Sequence, residues 1–283
     1  VTIFLSTGGY NKKTALEASK DFYSNGITAV ELSGGVHCPN AIEEIVKLRA
    51  KIDFQVHNYF PPPEEPFVLN LASKNPDISE LSIKHIYKAM ELSLRLDQPR
   101  YSFHAGFLID PKVDQLGKRI KKKQLLSRDQ GLKLFIDRLN IISERARELG
   151  VDLLVENNVI SKANFKEFQS DPFLMSTCEE CIYVMKNTPD NINLLVDLAH
   201  LKVSATTLSY NPIEFLNLVS KWIKGYHLSD NNGIRDENKP VTLNSWFWPY
   251  LKKDLQYYSL EVYNTATSEL LNQQLIVKSF LNS

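Results

Sequence analysis

Two stretches decide the fold: Val151-Asp152-Leu153-Leu154-Val155-Glu156 and Ile192-Asn193-Leu194-Leu195-Val196-Asp197. Both read as strands, along which successive side chains point to opposite faces. Leu153 and Val155 then share one face, and Leu154 and Glu156 the other. Leu194 and Val196 likewise oppose Leu195 and Asp197. Each run thus ends on a carboxylate that faces away from the bulky apolar set. The pattern recurs outward in both directions. Phe54 and Val56 alternate with Gln55 and His57, and Tyr101 and Phe103 with Ser102 and His104. Tyr226 and Leu228 flank His227, with Gly225 two before it, and Tyr258 and Leu260 alternate with Ser259 and Glu261.

Eight strand-like runs can be placed in all, at 1–6, 27–33, 54–58, 101–105, 151–156, 192–197, 223–228 and 257–262. Segments with helical periodicity lie between them, at 12–25, 39–51, 77–96, 129–149, 177–186, 212–221, 245–251 and 267–281. Asn11 is a candidate N-cap for the first and Gly26 its stop. Regular alternation of short strands and helices predicts a parallel sheet of βαβ units. Eight units in 283 residues, about 35 residues each, predict a closed (β/α)8 barrel over 1–283 as one domain. The longest irregular stretches, 59–76, 107–128, 157–175 and 229–244, all follow strands. In a barrel they crowd one end, the face on which such folds place their chemistry.

Composition narrows the function classes. With 33 Lys+Arg against 33 Asp+Glu, 43% hydrophobic and 23% charged residues, the chain has material for one large core. Zero net charge argues against a nucleic-acid coat or a membrane-surface protein, and no window is apolar enough to span a bilayer. The first residues read as a strand and its turn rather than a signal peptide. Three cysteines fit a reducing, cytoplasmic setting. Cys178 and Cys181 form a CxxC among acidic neighbours that would raise a thiol pKa, so they read as helix packing. There is no GxGxxG and no phosphate loop of the Walker type.

The inward faces carry the chemistry. Six of them end, at the C-terminal end of a strand, in His57, His104, Glu156, Asp197, His227 or Glu261. Such groups converging on one barrel mouth would repel or desolvate one another unless something neutralises them. A divalent cation does so, and imidazole with carboxylate suits Mn, Zn, Co or Fe. Glu156, Asp197, His227 and Glu261 sit about one βα unit apart, so four successive strands can each place one ligand around a common point.

At these residues the sequence resembles the xylose isomerase-like TIM-barrel superfamily, which joins sugar isomerases and 3-epimerases with AP endonucleases of the endonuclease IV type. The resemblance covers essentially the whole chain. Its marks are Glu31 in Ala29-Val30-Glu31-Leu32, His57 in Val56-His57-Asn58-Tyr59, His104 in Phe103-His104-Ala105-Gly106 and Glu156 in Val155-Glu156-Asn157. Asp197 and His200 in Asp197-Leu198-Ala199-His200, His227 ahead of Leu228-Ser229-Asp230-Asn231, and Glu261 in Leu260-Glu261-Val262 complete them. It implies a metal (Mn, Zn, Co or Mg) on Glu156, Asp197, His227 and Glu261. It implies further that Glu156 and Glu261 flank a sugar and act as acid and base, with His200 touching substrate. His57 and His104 match positions that in the endonucleases hold another zinc with the shared glutamate. A third zinc there uses the DxxH histidine and a later Asp-x-His, where this chain has Asp236-Glu237-Asn238. Relatives that act on sugars often pair, which implies a homodimer.

A sugar isomerase or epimerase is therefore the leading expectation. The alternative is a multi-zinc phosphodiester hydrolase of the endonuclease type, and a third class is a barrel that only binds. Neutral charge and Asn238 count against nucleic acid as substrate. Glu31, His200, Asp230 and Arg235 are candidate substrate-binding residues, and Asp230 a candidate partner of His227. Lys118, Arg119, Lys121, Lys122 and Lys123 read as a solvated face, or else as a grip on a phosphorylated or nucleotide-linked sugar. Tyr59, Phe60, Phe107 and Trp246 could wall the pocket, and His37 could reach substrate. His85 falls mid-helix and reads as structural.

Overall fold

The computed structural model describes residues 1–10 and 13–282. Eight parallel strands close on themselves in chain order: β1 (Ile3–Ser6), β2 (Ala29–Leu32), β3 (Asp53–His57), β4 (Arg100–His104), β5 (Asp152–Glu156), β6 (Ile192–Asp197), β7 (Ile223–Leu228) and β8 (Tyr258–Leu260). The last pairs with the first, Ile3 opposite Tyr258 and Leu5 opposite Leu260. This is the (β/α)8 barrel that the alternation predicts.

The helices are α1 (Ala15–Ser24), α2 (Ala41–Leu48), α3 (Pro76–Arg95), α4 (Arg128–Leu149), α5 (Lys162–Phe168), α6 (Cys178–Lys186), α7 (Leu198–Leu208), α8 (Pro212–Val219) and α9 (Thr267–Leu281). Local sequence sets their ends. Thr14 and Glu17 form a reciprocal capping box at α1. Asn75 caps α3 ahead of Pro76 at its first turn. Gly150, at φ 66, stops α4 in the left-handed region that glycine enters without strain. Asn11 and Lys12 lie outside the described residues, and the helix of this unit is capped by Thr14.

Two helices, α5 and α7, fall where no helix is expected from sequence. In the other direction, 245–251 is not an α-helix but carries only the 3-10 turn Trp248–Tyr250. Here Trp248 stacks face to face on Phe280 of α9, centroids 4.2 Å apart, and covers the strands in place of a helix.

The bulky strand faces point outward. Leu153, Val155, Leu194, Val196, Tyr226 and Leu228 join the main core against the helices. Inside the barrel, Phe4, Ala29, Leu154, Leu195 and Tyr257 form a small apolar plug. Gly225 makes room for it, since a Cβ there would lie 2.6 Å from the Tyr257 ring. With the lower barrel filled, the inward residues above it are confined to the mouth. Cys178 and Cys181 are unpaired and buried on α6, as packing residues. Burial pushes the Cys178 thiol up to about 11. Among the described residues no helix is long and apolar enough to cross a membrane.

Candidate metal centre

Register brings the strand ends together. His104 lies opposite Glu156, and Asp197 opposite His227. Glu156 occupies the middle. His57 Nε2 stands 3.3 Å and His104 Nδ1 3.5 Å from its Oε2. His200 Nδ1 stands 3.3 Å and His227 Nδ1 3.5 Å from its Oε1. His227 Nδ1 is also 3.1 Å from Glu261 Oε2 and 3.8 Å from Asp197 Oδ2.

Two donor sets result, both containing Glu156. Glu156, Asp197, His227 and Glu261 place one donor atom each within 4.8 Å of one another, and so do His57, His104 and Glu156. Both oxygens of Glu156, Asp197 Oδ2, His227 Nδ1 and His104 Nδ1 are sealed from solvent with no hydrogen-bond partner. Buried polar atoms are ordinarily paired, and leaving one unmade costs about 1–3 kcal/mol. That these unpartnered atoms aim at one another fits a divalent ion, whose ligand set they would supply.

Neighbouring residues hold these side chains. Asp197 ends β6 and is at once the N-cap of α7, its Oδ1 accepting from His200 N at 2.7 Å. The same turn fixes His200, whose Nδ1 donates to Asn157 O at 3.0 Å while Nε2 faces Asp236 at 3.2 Å. Asn157, directly after β5, accepts from Asp197 N at 2.8 Å and so ties two strand ends. Tyr263 donates to Glu261 Oε1 at 2.6 Å. Gly8 packs against this pair: a Cβ there would meet the Tyr263 hydroxyl at 2.9 Å and Glu261 Oε1 at 3.2 Å. Sequence reading singles out none of Asn157, Tyr257 and Tyr263. The inward register position of Tyr257 was the one available signal.

Electrostatics follow from the crowding. Burial pushes the Glu156 carboxyl up, but the imidazoles of His104, His227 and His57 outweigh this and hold it well below the usual range. Burial pushes Asp197 up to about 7; His200 opposes this, and Glu156, Asp236 and Glu261 add to it. Burial works against charge on His227, yet Glu31, Glu156 and Tyr257 raise it well above an ordinary histidine. Burial and the nearby His227 lower His57. The site thus keeps some groups charged and others neutral within a few ångströms.

Several residues expected to contact substrate fall outside the two donor sets. Glu31 is fully buried at the level of Gln55, below the mouth, and accepts from His227 Nε2 at 2.9 Å. Asp230 does not meet His227. It pairs with Lys202 Nζ at 2.7 Å and accepts from Ser245 at 2.9 Å. Arg235 is exposed on the loop after β7. Asn238 has φ 44, and its carbonyl accepts from Tyr263 N at 2.9 Å. His37 binds Pro62 O at 3.0 Å in a groove lined by α2 and α3, away from the ligand cluster. Phe60 lines that groove too, whereas Phe107 packs in a separate apolar cluster with Ile120 and Phe173. His85 donates to Asn58 O at 3.0 Å, a structural role. In the basic run, Arg119 Nε pairs with Glu167 of α5 at 3.0 Å and Lys123 Nζ donates to Asp110 O at 2.8 Å, which commits two of its charges to the loop itself.

The family described as xylose isomerase-like TIM barrel matches residues 21–257. No curated protein matches the chain in sequence. In structure it is similar to a D-tagatose 3-epimerase-like protein, at 20% identity and TM-score 0.74 over 100% of this chain and 97% of the other. It is similar to a protein of Thermus thermophilus soaked with zinc chloride, at 20% identity and TM-score 0.63 over 99% of each chain. A D-psicose 3-epimerase solved in the presence of D-fructose aligns at 10% identity and TM-score 0.69 over 100% of both chains. At such identities the likeness concerns the fold. The family match spans most of the sequence, and on it the chain belongs to the xylose isomerase-like TIM-barrel family.

Proposed function

We propose that the protein is a divalent-metal-dependent isomerase or epimerase of a sugar or sugar derivative. The observation that carries this reading is the set of unpartnered, buried donor atoms on Glu156, Asp197 and His227, with Glu261 completing the group around them. A divalent ion held by them would polarise a substrate oxygen and stabilise charge developing on the adjacent carbon. Two of the structures of like fold are described as a sugar epimerase or an epimerase-like protein, which supports the substrate class.

The chain's own residues divide the remaining work. Glu156 and Glu261 come from β5 and from the end of β8, so their carboxylates approach a bound sugar from different sides. One removes a proton from carbon, and the other delivers a proton to the opposite face. Tyr263 holds Glu261 by its Oε1 and leaves Oε2 directed inward. His200, fixed by Asn157 and Asp236, stands ready to orient a substrate hydroxyl. The apolar plug beneath closes the barrel to water from below.

The deciding experiment offers the protein, loaded with Mn2+, Co2+ or Zn2+ in turn, a panel of ketoses in D2O. The expected result is loss of one carbon-bound proton signal with appearance of the epimer. No exchange with any metal or sugar sinks the reading. A second reading, metal-assisted phosphodiester hydrolysis, draws on the His57, His104 and Glu156 donor set. Cleavage of abasic DNA by the zinc-loaded protein would establish it instead.

A further inference from the structure

Below the ligands runs a continuous hydrogen-bonded chain that none of the roles above uses. His57 Nδ1 lies 2.9 Å from Ser102 Oγ, and Ser102 Oγ 3.1 Å from the Tyr257 hydroxyl. Tyr257 in turn reaches Glu31 Oε2, the same oxygen that His227 Nε2 approaches at 2.9 Å. Glu31, His57, Ser102, Tyr257 and His227 are all buried. The chain therefore joins one histidine of each donor set through a single carboxylate.

We propose that Glu31 is a positioning residue that sets the direction of every proton in this chain, and so aims both imidazole lone pairs at the metal centre. The inference rests on the metal reading given above. A carboxylate accepts only. Tyr257 must then donate to Glu31, which leaves its oxygen to accept from Ser102. Ser102 donates there and so accepts from His57 Nδ1–H. On the other branch His227 donates through Nε2–H. Each ring has one nitrogen committed as donor, which leaves the other as the one that can bind a metal. For His57 that is Nε2, facing Glu156 Oε2; for His227 it is Nδ1, facing Glu156, Asp197 and Glu261. Partners behind ligating histidines commonly fix ring tautomer and orientation in this way. Here one residue does so for two histidines on strands far apart in sequence.

The test is long-range proton–nitrogen NMR of histidine-labelled protein loaded with Zn2+, together with the Zn2+ dissociation constant. In the wild type, His227 should carry its proton on Nε2 and bind through Nδ1, and His57 should carry its proton on Nδ1. Glu31→Gln should release both rings from a single tautomer and weaken Zn2+ binding about 10- to 100-fold. Tyr257→Phe cuts only the branch to Ser102, so His57 should lose its fixed tautomer while His227 keeps its own. This variant preserves ring volume and stays readable should Glu31→Gln fail to fold. A His57 protonated on Nε2 in the wild type, or rings unchanged in both variants, overturns the proposal. If the wild type takes up no Zn2+, the metal reading fails, and the His57 ring of the ion-free protein still reports the direction of the chain.

Discussion

Replacing Asp197 by Asn should stabilise the metal-free protein while weakening its hold on metal. The Asp197 carboxyl is raised from an ordinary 3.8 to about 7, with burial the largest cause. That difference corresponds to about 4 kcal/mol lost when the folded protein ionises this group. The sign is that of a carboxyl raised on folding. Its contribution is intact below pH 3.8, declines as pH rises, and is gone above about 7. Between pH 5 and pH 8 the decline is about 3 kcal/mol. Asparagine keeps the N-cap, because its carbonyl oxygen can still accept from His200 N, and it carries no charge to bury. Thermal unfolding in EDTA at pH 5 and pH 8 isolates the effect, since other titrations occur in both proteins. The variant should gain on the wild type by about 5 °C more at pH 8 than at pH 5, at about 2 °C per kcal/mol for a large domain. Added Mn2+ or Zn2+ should restore the wild type far more than the variant. An equal gap at both pH values, or a variant less stable at pH 8, would refute the reasoning.

Glu156→Gln should lower turnover of any accepted sugar by about 10²- to 10⁴-fold, the range for loss of a general acid or base, read from initial rates at saturating metal. Metal affinity should rise from pH 6 to pH 8, because burial raises Asp197 to about 7 and Glu31 helps keep His227 protonated. Calorimetry in buffers of different ionisation enthalpy should count the released protons. Gly8→Ala should cut activity about tenfold or more with little change in melting temperature. Its Cβ would press on the side-chain ends of Tyr263 and Glu261 rather than on backbone, so an unchanged rate would disprove the tight packing. Cys178 and Cys181, buried on α6, should resist a thiol reagent in the native protein while Cys38 reacts; rapid modification of all three would contradict this.

The strands were legible because each half of the alternation has its own burial partner. Leu153 and Val155 meet helices, while Leu154 and Glu156 meet the interior. Depth inside the barrel was not legible, because it depends on register between strands. Glu31 reads in sequence as a candidate substrate contact, but only its pairing opposite Gln55 puts it below His57 rather than beside it. Helix α7 escaped notice because its first turn, Leu198, Ala199, His200 and Leu201, is buried on every side, and Lys202 and Thr206, which face outward in the rest, are too few to mark a period. It also starts with no loop, since Asp197 serves strand and helix together. The segment 245–251 misled for the opposite reason, as its aromatic residues pack as a turn on a neighbouring helix. The Lys202 that claims Asp230 lies on the unrecognised α7, so this pairing was hidden with it.

The single turn between β7 and β8 shifts a duty onto α9. Trp248 rests flat against Phe280, and Gln274 of α9 donates to Ile3 O at 2.8 Å. One helix therefore both roofs the seventh unit and rivets the seam where the ring of strands meets itself. Glu261, emerging from the strand beside that seam, stands on the part of the wall whose integrity depends on a segment remote from the mouth. Damage to the outer end of α9 would be felt first as slack in a proposed catalytic carboxylate, well before the barrel came apart.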